Sequence, residues 1–130
     1  MNCLLDTHVW IWSTTDPDRL DSQARDVIES GEHQLGVSAI SIWEALLLHE
    51  RGAIDLGSDP RLGIEWLLSE YPLTEWPITS AIAIRSREVV VPHRDPADRF
   101  LASTAIEHGL VLLTRDQQLL DAVGVPTMTA

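Results

Sequence analysis

A chain of 130 residues, 45% of them apolar, can bury one sizeable core, so a single domain over residues 1–130 is expected. The formal charge of −11 excludes loose, whole-surface attraction to nucleic acid. All nine basic residues are arginines, which excludes a Gly-Lys-Ser/Thr phosphate loop, a Schiff-base enzyme and a receiver domain that needs a site lysine. Cys3 is alone, so neither an internal disulfide nor a cysteine zinc site is available, and it reads as a small hydrophobe on a buried strand. With no membrane-length apolar run and no basic leader before Met1-Asn2-Cys3-Leu4-Leu5-Asp6, the expectation is a soluble, cytoplasmic protein.

In chain order, residues 2–5 form an apolar strand that stops at Asp6-Thr7, followed by a short helix over 7–13. Asp16-Pro17-Asp18 is a turn. Residues 21–30 make an amphipathic helix capped by Asp21 or Ser22, with Ala24, Val27 and Ile28 inward and Gly31 at its end. A second strand spans 34–37, and Ser38 caps a helix from 39 to about 51, stopped by Gly52. Asp59-Pro60 opens a helix ending near Tyr71-Pro72. An extended piece over 73–78 leads to a helix capped by Thr79 and running to about 88, then to a loop or brief strand over 89–92. In His93-Arg94-Asp95-Pro96-Ala97-Asp98-Arg99, Asp95 occupies an N-cap position and Pro96 a first helical position, predicting a helix over 96–108 closed by Gly109. The continuous apolar run 110–113 suits a parallel strand covered on both faces. Asp116 begins a last short helix, and a strand over 125–128 can close the sheet. This alternation predicts a three-layer α/β/α domain with a central, largely parallel sheet.

Four acids stand out against that frame. Asp6 and Asp116 directly follow strands, on the carboxyl edge where parallel sheets bind ligands. At about 100° per residue, Asp98 falls within the arc of Leu101, Ala102, Ala105 and Ile106, and Glu44 within that of Ile40, Trp43, Leu47 and Leu48. A charge on an apolar face is costly unless something pairs with it. Each acid alone has a structural explanation: a turn cap for Asp6 and Asp116, a capping box with Asp95 for Asp98, an ion pair with Arg51 for Glu44. Together at one sheet edge they would repel one another unless cations neutralise them. Oxygen ligation suits Mg²⁺ or Mn²⁺, which activate water and stabilise a leaving oxygen in phosphodiester hydrolysis.

The chain resembles the PIN-domain ribonucleases, and within them the VapC toxins of type II toxin-antitoxin modules. The resemblance runs through Leu4-Leu5-Asp6-Thr7-His8, Ser41-Ile42-Trp43-Glu44, Pro92 to Arg99 and Leu113-Thr114-Arg115-Asp116. It departs from the family at Asn2-Cys3 and at Ala45, neither of which touches the four acids. The resemblance implies that Asp6, Glu44, Asp98 and Asp116 hold one or two Mg²⁺ or Mn²⁺ ions and cleave RNA, often tRNA or another structured loop. It also implies neutralisation by a cognate VapB antitoxin, within a homodimer and a toxin-antitoxin hetero-oligomer.

Thr7 and Thr114, beside site acids, either orient a carboxylate or water or cap turns. Arg99 either holds a phosphate or pairs with Asp95 at i, i+4. His8 and His93 neighbour the acids, but a histidine there is a surface residue before it is a ligand. Trp10, Trp43 and Trp66 lie among apolar neighbours and read as core or interface. Without the four site acids the charge is still −7, so RNA specificity is assigned to arginines near the edge: Arg85, Arg87, Arg94, Arg99 and Arg115. The alternative is a catalytically inactive PIN-like protein-binding module, which has no need of all four acids. A small-molecule phosphatase would carry Asp-x-Asp after the first strand, where this chain has His8.

Overall fold

Strand alternation divides the core into two clusters on opposite faces of one sheet, in a computed structural model that describes residues 1–92 and 95–130. Among these residues the strands are β1 (Asn2–Leu5), β2 (Gln34–Ser38), β3 (Thr74–Trp76), β4 (Val111–Thr114) and β5 (Thr127–Thr129). Their spatial order is β3-β2-β1-β4-β5 and every pair is parallel. Cys3 and Leu5 of β1 face one cluster and Leu4 the other, while Leu113 and Leu112 of β4 divide the same way. Both faces being covered, β1 and β4 read as unbroken apolar runs, and the expected three-layer α/β/α arrangement is what forms.

The helices are α1 (Thr7–Thr15), α2 (Ser22–Glu29), α3 (Ala39–Glu50), α4 (Pro60–Ser69), α5 (Ser80–Arg85), α6 (Pro96–His108) and α7 (Gln117–Leu120), with a 3-10 turn over Pro17–Arg19. Their starts follow the capping chemistry: Ser38, Asp59, Thr79, Asp95 and Asp116 each accept a main-chain N–H of the first turn. Gly109, at φ +63°, ends α6 in the left-handed conformation.

Two element ends and one helix face differ instructively from the sequence reading. The helix after Thr79 ends at Arg85 and continues as turns, where the Glu88 and Val89 amides bond the Arg85 carbonyl. The final strand begins at Thr127, because Pro126 has no N–H to donate and enters the sheet only through its carbonyl, which accepts from Leu112. The inward face of α3 is made of Ser41 and Ala45, while Trp43 is 54% exposed. Small residues let α3 approach its neighbours closely, and Thr7 Oγ1 donates to Ser41 Oγ at 2.8 Å across that contact. Of the tryptophans read as core or interface, Trp10 is fully buried and Trp66 is 50% exposed. No helix among the described residues is long and apolar enough to cross a membrane.

Candidate active site

Parallel pairing of β1 with β4, Leu5 opposite Leu113, brings the carboxyl ends of the two strands together. The Asp6 amide extends that ladder by donating to the Leu113 carbonyl at 3.0 Å. Asp6 and Asp116 therefore leave the sheet side by side. The α3 helix starts from the end of β2 on the same edge and carries Glu44 in its second turn; α6 presents Asp98 in its first. All four carboxylates line one cavity of about 370 Å³, together with His8, Val9, Trp12, Asp95 and Arg115.

The two threonines are built into this edge. Thr114 Oγ1 donates to Asp6 Oδ2 at 2.7 Å and accepts the Asp116 amide at 3.0 Å, so one hydroxyl fixes both strand-end acids. The Thr7 amide donates to Asp6 Oδ1 at 2.7 Å. The Thr7 hydroxyl reaches Ser41 and favours the charged form of Glu44. Both oxygens of Asp6 are thus engaged by protein donors in an 8% exposed setting.

Electrostatically the cluster is under strain. Asp98, 6% exposed, has its pKa pushed up to about 8, first by burial and then by the charges of Asp6, Asp95, Asp116 and Glu44. Burial also raises Asp6, against the bonds from Thr114 and Thr7 and the pull of His8, with Asp116 adding to the rise. Glu44 is raised by burial and, after the opposing Thr7 bond, by Asp6 and Asp95. Burial and mutual repulsion thus disfavour the charged forms of these carboxylates. The carboxylates offer oxygen donors, the set suited to Mg²⁺ or Mn²⁺, with His8 in the wall beside them. Among the described residues no three His, Cys, Asp or Glu side chains form a ready-made cage; the carboxylates line the wall, as mutual repulsion requires.

Asp95 caps α6 through the Ala97 amide at 2.9 Å, the structural role assigned to it. It also lines the pocket as a fifth acid, which its place three residues before Asp98 could have signalled. Arg99 is engaged elsewhere than with Asp95 or at the pocket: Nε donates to the Ser86 carbonyl at 2.7 Å and Nη2 to that of Val89 at 3.1 Å, tying α6 to the segment after α5. Arg85 is paired with Glu107. Arg115 lines the pocket, while His93 and Arg94 lie outside the described residues. His8 lines the pocket wall, and its ring lies 5.3 Å from that of Trp12. Trp12 had no signal in the sequence beyond its apolarity.

Fold and pocket together define an α/β/α domain with an acidic centre at the carboxyl edge of a parallel sheet. The PIN domain family model matches residues 3–125, and the chain belongs to that family. It is 39% identical over 121 residues to Ribonuclease VapC22 of Mycobacterium tuberculosis, covering 89% of this chain and 88% of that protein. Its fold is similar to those in two solved complexes. One is VapBC2 from Rickettsia felis bound to a DNA fragment from its promoter, with TM-score 0.73, 14% identity, and 99% and 98% of the two chains covered. The other is DNA-bound VapBC from Salmonella typhimurium, with TM-score 0.67, 16% identity and the same coverage.

Proposed function

We propose that this protein is a metal-dependent endoribonuclease of the VapC toxin type, held in check by a VapB-type antitoxin. The observation that carries the reading is the convergence of Asp6, Glu44, Asp98 and Asp116 from four elements on one pocket, with Asp98 pushed up to about 8. The similarity to Ribonuclease VapC22 supports RNA as the substrate, and a cytoplasmic site of action is part of the same proposal.

Asp6, Glu44, Asp98 and Asp116 would hold one or two Mg²⁺ or Mn²⁺ ions. When bound, such an ion supplies Lewis acidity, lowering the pKa of water and stabilising charge on the phosphodiester oxygens. Thr114 holds Asp6 and Asp116 in fixed relative orientation, and Thr7 does the same for Asp6. Asp98 and Glu44 reach the pocket from helices and complete its negative wall. The neighbouring apolar groove of about 360 Å³, with Trp66 half exposed at its rim, is surface of the kind a protein partner covers.

The test is incubation of the antitoxin-free protein with total RNA, with and without Mg²⁺ or Mn²⁺, beside Asp98→Asn. Cleavage is expected only with the ion and to fall by at least about a hundredfold in the variant. Cleavage that survives EDTA, or equal cleavage by both proteins, would sink the mechanism. No cleavage under any condition by antitoxin-free protein that still binds the antitoxin when it is added back would favour an inactive binding module.

A further inference from the structure

Beside the carboxylate pocket the chain assembles a basic and aromatic rim from positions remote in sequence. The guanidinium carbon of Arg115 stands 5.4 Å from the centroid of the Trp12 ring, and that of Arg19 stands 5.3 Å from the same centroid. Arg115 Nη1 also donates to the Arg19 carbonyl at 2.8 Å, across 96 positions. This bond uses one donor of a five-donor fork. Arg115 and Trp12 line the acidic pocket, while Arg19 and Arg115 line the adjoining surface cavity with Asp21 and Thr129. Both arginines are exposed, Arg19 by 58%. Arg19 is paired with Asp16 at 3.0 Å, but so exposed a pair orients the side chain and yields readily to a competing anion.

The ribonuclease reading creates a need for such a rim. Cations in the carboxylate pocket can offset the charge of the phosphate being cut; the phosphates on either side still meet a protein of charge −11. Fixed guanidinium groups at the pocket's edge answer that repulsion locally. Arginine is the suitable residue, because its planar fork takes phosphate oxygens in pairs and lies against an indole. We propose that Arg115 and Arg19, held against Trp12, clamp a backbone phosphate of the RNA strand where it leaves the acidic pocket. Trp12 is the positioning residue, since it fixes both guanidinium groups and adds no charge. The clamp rests on the ribonuclease reading for its ligand.

The experiment measures binding of a fluorescein-labelled, mixed-sequence single-stranded RNA in EDTA, with Asp98→Asn in every protein to silence cleavage. Arg115→Gln and Arg19→Gln should each weaken binding several-fold. Each should also lower the slope of log affinity against log salt, the two together by about 0.7, the share of one phosphate contact on a single strand. Arg115→Lys should keep the slope and still lose affinity. Trp12→Leu should weaken binding without removing a charge, and Trp12→Phe should restore it. Melting curves check the Trp12 variants; the arginine variants alter exposed side chains and do not depend on that control. Unchanged affinity and slope in the Arg19, Arg115 double variant overturns the clamp, as does failure of the rim-intact protein to bind. Unchanged RNA binding with looser retention of antitoxin would assign the rim to the protein partner and also overturn it. In parallel, the same RNA is offered to the protein with Asp98 restored and Mn²⁺ added. Absence of cleavage there counts against the ribonuclease reading alone, and the binding series still judges the clamp.

Discussion

Asp98 holds a proton in the folded protein that the unfolded chain releases above about pH 4. Its folded pKa of about 8 comes from burial and four acidic neighbours, and Asp6 and Glu44 are displaced in the same direction. For an acid whose folded pKa is raised, the stabilising contribution is complete below the unfolded pKa and is lost as pH climbs through the folded one. The metal-free protein should therefore become less stable between pH 5 and pH 8 than its surface charge alone would make it. Asp98→Asn should remove much of that loss. Melting in EDTA across this range, for both proteins, checks it; parallel curves would mean Asp98 is not held protonated. Asp95 shows how one residue serves two ends, since its capping bond to Ala97 leaves its carboxylate in the pocket wall and raises the charge density that Asp98 feels.

At the scale of elements, close approach decides more than apolar bulk. Ser41 and Ala45 form the buried face of α3, and Glu44 reaches the pocket because it flanks that small-residue face. The same principle governs α4, where Gly63 faces the segment before the helix. A Cβ at Gly63 would stand 2.2 Å from the Leu56 carbonyl oxygen, a main-chain atom, and 2.8 Å from Leu56 Cβ. Helix propensity favours alanine over glycine by about 1 kcal/mol, but overpacking against main chain costs about 1–3 kcal/mol. Gly63→Ala should therefore lower the melting temperature, against the usual direction for such a change in a helix. A rise would show that the Leu56 segment moves aside freely. Because α4 and Leu56 both border the apolar groove, the same variant should distort that surface and spare the carboxylate pocket.

For the molecule as a whole, the proposed cation at the acidic edge would couple binding to stability. Ligands that bind only the folded state stabilise it by about 2.7 kcal/mol at a hundredfold excess over Kd. For a domain of this size that is roughly 10 °C in melting temperature. Millimolar Mn²⁺ should raise the melting point by an amount of this order, with the rise much reduced in Asp98→Asn. No shift in the unaltered protein would mean the acids do not act together on a cation. Under the ribonuclease proposal, the charge of −11 makes RNA affinity depend on local arginines, and the structure commits Arg85 and Arg99 to other contacts.

The sequence by itself determined the layer architecture, the strand edge and the four acids, because each leaves a local mark. Buried parallel strands are continuous apolar runs, caps are short polar residues at fixed offsets, and an acid on an apolar arc is conspicuous whatever surrounds it. Residue spacing also marked Asp95 as the cap of α6, though not its second place in the pocket wall. Only tertiary structure decided which way α3 turns, since periodicity weighs apolar bulk and the fold weighed the space that Ser41 and Ala45 leave. It alone decided that Thr114 ties Asp6 to Asp116 and that Arg99 binds main chain. Of the rim, the sequence marked only Arg115, and its meeting with Trp12 and Arg19 was invisible there: contacts across 96 positions depend on which strands become neighbours, and no local pattern of residues encodes that.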